Sequence, residues 1–221
     1  MTSIFSPHTL TAFDLRAAPR LRSLYRVEQI LAAIAIVVWL PLAAVIAIVV
    51  FIQSRQGPLV RHSRVGYRGS PLGVLKFRTM WDGTESPSNF FSIEDIKSAP
   101  VPLVKAGIDS RDNSRFAAFC RRHSLDEIPQ LYHVARGEMS LVGPRPLTAA
   151  ELKKWYGASA DTVLALRPGL TGLWQVKGRN RLTYPQRRRL DMFLARRASA
   201  GLYFLILILT VPRVLFGADA W

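Results

Sequence analysis

Residues 30–52, ILAAIAIVVWLPLAAVIAIVVFI, form an apolar run without a single polar or charged side chain. At about 1.5 Å per residue, a helix of this length reaches across a hydrocarbon core of roughly 30 Å. Pro41 stands at its middle, where a proline removes a backbone hydrogen bond and bends a helix. Arg16, Arg20, Arg22 and Arg26 precede the run, and Arg55, Arg61 and Arg64 follow it. Basic flanks favour the cytoplasmic side, and here both flanks are basic. Two arrangements are therefore open: a straight span, or a helix–break–helix that enters and leaves the same leaflet.

After this run the pattern changes. Residues 58–64 and 72–80 alternate apolar and basic positions around Gly66, Gly69 and Gly73, which predicts strand, turn, strand. Residues 82–102, rich in Ser, Pro and acids, read as a surface loop. A short basic helix is predicted at 116–122. Ser124-Leu-Asp-Glu127 fits a capping box that opens another helix, with Pro129 in its first turn and Gly137 at its end. A strand at 139–142, a helix from 151 to 156, a glycine-bearing loop over 167–179 and a very basic helix over 181–197 follow. Residues 201–216 are apolar, short for a span, and contain Pro212, which suits a helix lying in the membrane interface. The fold class is α/β: a small compact membrane-associated domain with interfacial helices and a small sheet. The predicted organisation is a basic segment at 1–25, the membrane helix at 26–56 and a catalytic domain at 57–221.

Composition narrows the partners. The chain has 221 residues, enough for one domain with its own core, and a formal net charge of +15. That excess implies an anionic partner. Hydrophobic residues make up 49% of the chain, so the membrane surface is favoured over free nucleic acid. Cys120 is the only cysteine, which excludes an intrachain disulfide. Residues 1–26 hold Pro7, Pro19 and several arginines, against a cleavable signal peptide.

The candidate chemistry lies in SLDEIPQLYHVARGEMSLVGPRP, residues 124–146. Asp126 and Glu127 are adjacent carboxylates in a very basic chain. They can serve merely as helix-start residues, or a carboxylate there can act as a nucleophile or hold a metal beside a bound phosphate. Arg145 is held between Pro144 and Pro146, which stiffen the backbone on both sides. Lys76 and Arg78 alternate along a predicted strand and so share a face, either as solvated charge or as phosphate ligands. Arg121 and Arg122 suit a helix surface. The four histidines lack metal-ligand spacing, and neither a P-loop nor a dinucleotide fingerprint is present. These patterns lead to a membrane-surface protein with a phosphate site.

The apolar segment with its central Pro41, LKFRTM at 75–80, residues 124–146, and RPGLTG at 167–172 followed by Gln175-Val176 and Gly178-Arg179-Asn180 resemble the bacterial sugar transferase family, the monotopic phosphoglycosyl transferases of glycan assembly. The resemblance implies transfer of a sugar phosphate from a UDP-sugar to polyprenyl (undecaprenyl) phosphate, with release of UMP, at the first membrane step of glycan or exopolysaccharide assembly. By the match, Asp126 is the nucleophile that forms a phosphosugar intermediate, and Glu127 holds Mg²⁺ with the diphosphate. Arg145, Arg121, Lys76 and Arg78 bind phosphate oxygens; Gln175 and Arg179 serve the nucleotide. The resemblance also favours the re-entrant arrangement, with the catalytic domain on the cytoplasmic face of the bacterial inner membrane, no nucleic-acid partner, and room for a homo-oligomer.

This chain departs from the family pattern at Leu40, where many members carry a serine before the proline. It departs again at Trp174 and Lys177, and at 203–205, where apolar residues replace an expected acidic and basic pair. Two other functions compete: a membrane-tethered anion-binding protein, and a catalytically silent scaffold of the same fold.

Overall fold

The computed structural model describes residues 14–81, 87–96, 114–178 and 181–217, with the side chains of 14–20 and 22 excepted. Helix α1, Asp14–Ser54, is continuous through Pro41. The expected break there is not an interruption of the helix. Proline deletes one rung of the ladder, and the Ala, Leu and Ile residues on either side keep theirs. At about 1.5 Å per residue α1 is roughly 60 Å long. Its stretch Ser23–Ser54 is long and apolar enough to cross a membrane, and only 11% of its most apolar window is buried.

Both ends of α1 pack against the same body. Leu21 joins a cluster with Val142, Leu173, Leu194 and Ile206. Ala32 sits with Leu72, Val134 and Met139, while Ile46 and Val50 sit with Phe77 and Cys120. Between these anchors Val37, Val38 and Leu40 are 71%, 68% and 61% exposed. The buried Glu28 fastens the first half: its Oε2 accepts from Ser140 Oγ at 2.9 Å, the Leu141 amide at 3.1 Å and the Tyr203 hydroxyl at 2.5 Å.

The chain then forms β1 (Leu59–Val65) and β2 (Pro71–Phe77), an antiparallel pair with Leu59 opposite Phe77 and Val65 opposite Pro71. A third strand, β3 (Ile93–Ile96), adds parallel to β1 on its far side. It lies within the stretch expected to be loop. Its sequence, IEDI, carries no two-residue apolar alternation; the parallel ladder with β1 makes it a strand, and its carboxylates pair with distant residues, Asp95 with Arg61 and Glu94 with Arg78 at 2.8 Å.

Helix α2 (Arg115–Arg122) is capped by Ser114, whose hydroxyl accepts from the Ala117 amide. A 3₁₀ helix, Leu125–Gln130, leads into the short α3 (Leu131–Ala135) and strand β4 (Ser140–Val142). The capping box expected at its start does not form: Ser124 is left-handed at φ 56°, and its side chain makes no cap. A capping box is present two helices later, where Thr148 and Glu151 open α4 (Ala149–Glu151). After α5 (Ala160–Leu164), β5 (Gly169–Thr171) pairs parallel with β4. Then come α6 (Leu173–Lys177), α7 (Tyr184–Arg196) and the apolar α8 (Ala200–Phe216). Strand β5 and helix α6 occupy the stretch expected to be loop-rich.

Candidate active site

Three elements bring charged groups to one place. Strand β2 delivers Lys76, the 3₁₀ helix delivers Asp126 and Glu127, and the loop after β4 delivers Arg145. The β2 backbone is held by His133, whose Nε2 accepts from the Leu75 amide at 3.2 Å while Nδ1 faces Glu138 at 2.7 Å. Lys76 therefore leaves the strand beside the 3₁₀ helix. Its ammonium donates to Glu127 Oε1 at 2.7 Å and to Asp126 Oδ2 at 3.3 Å. This answers the capping question, because the Glu127 carboxylate turns toward Lys76 and not back to the Ser124 amide.

The loop that carries Arg145 is fixed by backbone alone. Gly143 and Gly169 face each other so closely that a Cβ on Gly143 would lie under 3.0 Å from the Arg167 carbonyl oxygen and the Gly169 nitrogen. The Gly169 amide donates to the Pro144 carbonyl at 2.8 Å, and the Gly143 amide to the Thr171 carbonyl at 2.9 Å. The GPRP and RPGLTG segments, 20 or more residues apart in sequence, are thus one piece of structure. From it Arg145 extends its guanidinium to 3.8 Å from Glu127 Oε1, and over Trp174 at 6.0 Å from the ring centre.

The electrostatics follow from this crowding. Burial raises the Asp126 carboxyl above its usual range, and the neighbouring Glu127 adds to that; the Lys76 ammonium pulls the other way. For Lys76, burial lowers the pKa, but the Asp126 and Glu127 charges more than reverse it, so the net direction is up. His62 on β1 is pushed down to about 4 by burial and by the positive charges of Arg64, Lys76 and Arg145. Burial is the larger cause, and the three cations add to it.

The remaining expected residues divide. Gln175 is buried, donates to the Leu170 carbonyl at 3.1 Å, and keeps its Oε1 without a hydrogen-bond partner. Arg121 donates to the Thr79 carbonyl, just past the end of β2. Arg78 does not share a face with Lys76. The strand ends at Phe77, and the Arg78 guanidinium is held by the Gly57 carbonyl at 2.9 Å and by Glu94. Arg179 lies outside the described residues. Sequence reading gave no site role to His62, His133 or Arg187, and noted Trp174 only as a departure from the family pattern. Arg187 stands in the run Arg187-Arg188-Arg189 and carries no signal of its own.

Beside the carboxylates opens a cleft of about 250 Å³. It is lined by Trp39 of α1, Glu127 and Ile128, Gln175 of α6, and Leu207 and Thr210 of α8. The cleft therefore joins the Glu127 carboxylate to walls from the two most apolar helices, with Thr210 and Arg213 of α8 as further polar lining. Among the described residues no three His, Cys, Asp or Glu side chains converge as a metal cage. Two adjacent carboxylates beside a phosphate site suit Mg²⁺, which keeps water and phosphate oxygens as ligands and needs one or two carboxylates from protein.

The bacterial sugar transferase family matches residues 22–217 of this chain. The chain belongs to that family. It is a transferase by that membership, and the family match covers every element of the site. Among similar proteins, a UDP-galactose-lipid carrier transferase of Erwinia amylovora is 38% identical over 201 residues, covering 88% of this chain and 41% of that protein. The exopolysaccharide production protein ExoY of Rhizobium meliloti is 35% identical over 188 residues, covering 85% and 83%. A UDP-glucose:undecaprenyl-phosphate glucose-1-phosphate transferase of Caulobacter vibrioides is 35% identical over 154 residues, covering 68% and 52%. This chain thus spans less than half of the Erwinia family member and most of the Rhizobium one.

Proposed function

We propose that this chain moves a sugar-1-phosphate from a UDP-sugar to polyprenyl phosphate, releasing UMP, at the first membrane step of exopolysaccharide assembly. The observation that carries this reading is the Lys76-bound Asp126–Glu127 pair, whose Glu127 lines a cleft walled by α1 and α8. A polyprenyl chain stays in the bilayer, so its phosphate must be met where apolar helices and charged groups adjoin.

In the first half-reaction an Asp126 carboxylate oxygen attacks the sugar-bearing phosphorus. A new O–P bond forms, the diphosphate bridge breaks, and UMP leaves with the bonding electrons. In the second, a phosphate oxygen of the carrier attacks the same phosphorus and Asp126 is released. Lys76 favours the ionised, attacking form of Asp126, opposing the effect of burial, and it helps neutralise the reacting phosphate. Arg145 supplies a second positive charge on a backbone that needs no reorganisation. Glu127 would hold Mg²⁺, which neutralises charge on the diphosphate and on departing UMP when bound. We further propose that α1 is re-entrant, with both ends on the cytoplasmic side; its two packed ends and exposed middle support this.

The test is direct. Full-length protein in nanodiscs is given a panel of UDP-sugars, Mg²⁺ and polyprenyl phosphate, and UMP is assayed. Release of UMP with one UDP-sugar, together with a phosphosugar adduct at Asp126 when the carrier is omitted, is expected. Absence of UMP release across the panel would leave a silent scaffold or an anion-binding protein. For topology, single cysteines near Arg20 and near Gln56 in a Cys120→Ser background are treated with an impermeant thiol reagent on intact cells. Protection of both, with labelling after lysis, is expected; labelling of either from outside defeats the re-entrant arrangement.

A further inference from the structure

Helix α6 has two working faces. Gln175 and Val176 line the apolar cleft, whereas Trp174 does not. Trp174 instead meets two guanidinium groups: Arg145 at 6.0 Å and Arg187 at 4.6 Å from its ring centre. Arg187 comes from α7, and its orientation is set by a hydrogen bond from Nε to the Leu182 carbonyl at 3.0 Å and by the Tyr184 ring at 5.1 Å. Among the described residues it makes no ion pair. Two cations brought to one aromatic ring repel each other; the nearby Asp191 and Glu151 carboxyls ease that repulsion, Asp191 less so because burial raises its pKa. Burial, together with the nearby Arg145 charge, weakens the hold of Arg187 on its proton. The Trp174 indole N–H is also buried without a hydrogen-bond partner. Buried donors in native structures are rarely left unmet, so this one points to an acceptor that the protein itself does not supply.

We propose that Arg187, with the Trp174 indole N–H, binds the nucleoside-bearing phosphate of the UDP-sugar, the phosphate that leaves as UMP. This rests on the proposed transfer reaction. The order of groups gives the assignment. Asp126 must meet the sugar-bearing phosphorus, and Arg145 stands next to Glu127. Arg187 shares the Trp174 ring with Arg145, and a diphosphate can take one guanidinium at each phosphate. The other face of α6 is left for the lipid carrier. Arg187 therefore acts in the first half-reaction and has no contact with substrate in the second.

The experiment uses the full chain in nanodiscs and measures binding of UMP, uridine and inorganic phosphate by calorimetry and by Trp fluorescence. Arg187→Gln is expected to weaken UMP at least tenfold and to leave uridine within twofold. Arg187→Lys is expected to recover part of that loss. Carrier-dependent discharge of preformed phosphosugar enzyme is expected to proceed at the wild-type rate in both variants. UMP affinity within twofold of wild type in both variants overturns the inference, as does an equal loss in both half-reactions, which marks a merely structural role. If Arg187→Gln fails to fold, the Lys variant decides: a point charge in place of the planar fork should weaken UMP several-fold, and unchanged affinity overturns the inference. Wild-type protein that binds no UMP overturns the proposed transfer reaction and this inference together, so the two failures are distinguishable.

Discussion

Two basic regions of this molecule are built on opposite plans. At the edge of the three-stranded sheet each cation has its own carboxylate: Arg61 pairs with Asp95, and Arg78 with Glu94. In the candidate active site, Lys76 and Arg145 both face Glu127, and only Lys76 lies within hydrogen-bond distance of it. The +15 net charge is therefore not one property. Matched cations pair one to one with the carboxylates of β3, while Lys76 and Arg145 crowd a single carboxylate pair. Arg78 is two residues from Lys76 and belongs to the other plan.

The sharpest way to break this contrast is Asp126→Asn. It should abolish UMP release while the protein still folds, because an amide keeps the shape but cannot be phosphorylated. UMP release at a near-normal rate would remove Asp126 from the chemistry. Arg145→Lys should lower kcat/KM by on the order of 10², since a point charge does not reproduce a fixed bidentate fork; unchanged kinetics would place Arg145 outside the site.

A smaller effect concerns Asp191, fully buried against the Tyr156 hydroxyl at 2.7 Å and raised by burial to about 7. Its charged form is disfavoured in the folded state, so its contribution is fully present below the unfolded value near 4 and is lost as pH rises through about 7. The thermal midpoint should fall over that window, and Asp191→Asn should flatten the profile; an equally steep profile in the variant would assign the slope to other groups. The smallest effect is expected at the matched edge. Arg61→Gln should leave transfer within twofold and shift the midpoint by little, since exposed ion pairs contribute weakly. A large loss of activity there would erase the distinction between the two regions.

Much of this contrast was legible in the sequence. The Asp126–Glu127 pair and the proline-flanked Arg145 are contiguous signals, and the structure brings them together with Lys76. The strands β1 and β2 follow from alternation around glycines. What could not be read was set by distant partners. Strand β3 has no apolar period, and only its parallel pairing with β1, distant in sequence, makes it a strand. Ser124 to Glu127 matches a capping motif, but Lys76, from another element, takes the glutamate. Arg187 sits in a run of arginines, and only the position of Trp174 separates it from its neighbours.

The contact between Gly143 and Gly169 has a consequence for how such proteins can diverge. Two stretches of chain share one small volume there, with no side chain between them to absorb a change. Substitution at either glycine would force the other stretch to move, and Arg145 with it. The two segments can therefore drift only in step. Anyone who exchanges parts among related transferases to alter which sugar is moved should transplant both stretches as a single cassette, because a half-graft would misalign the site before any new specificity could be seen.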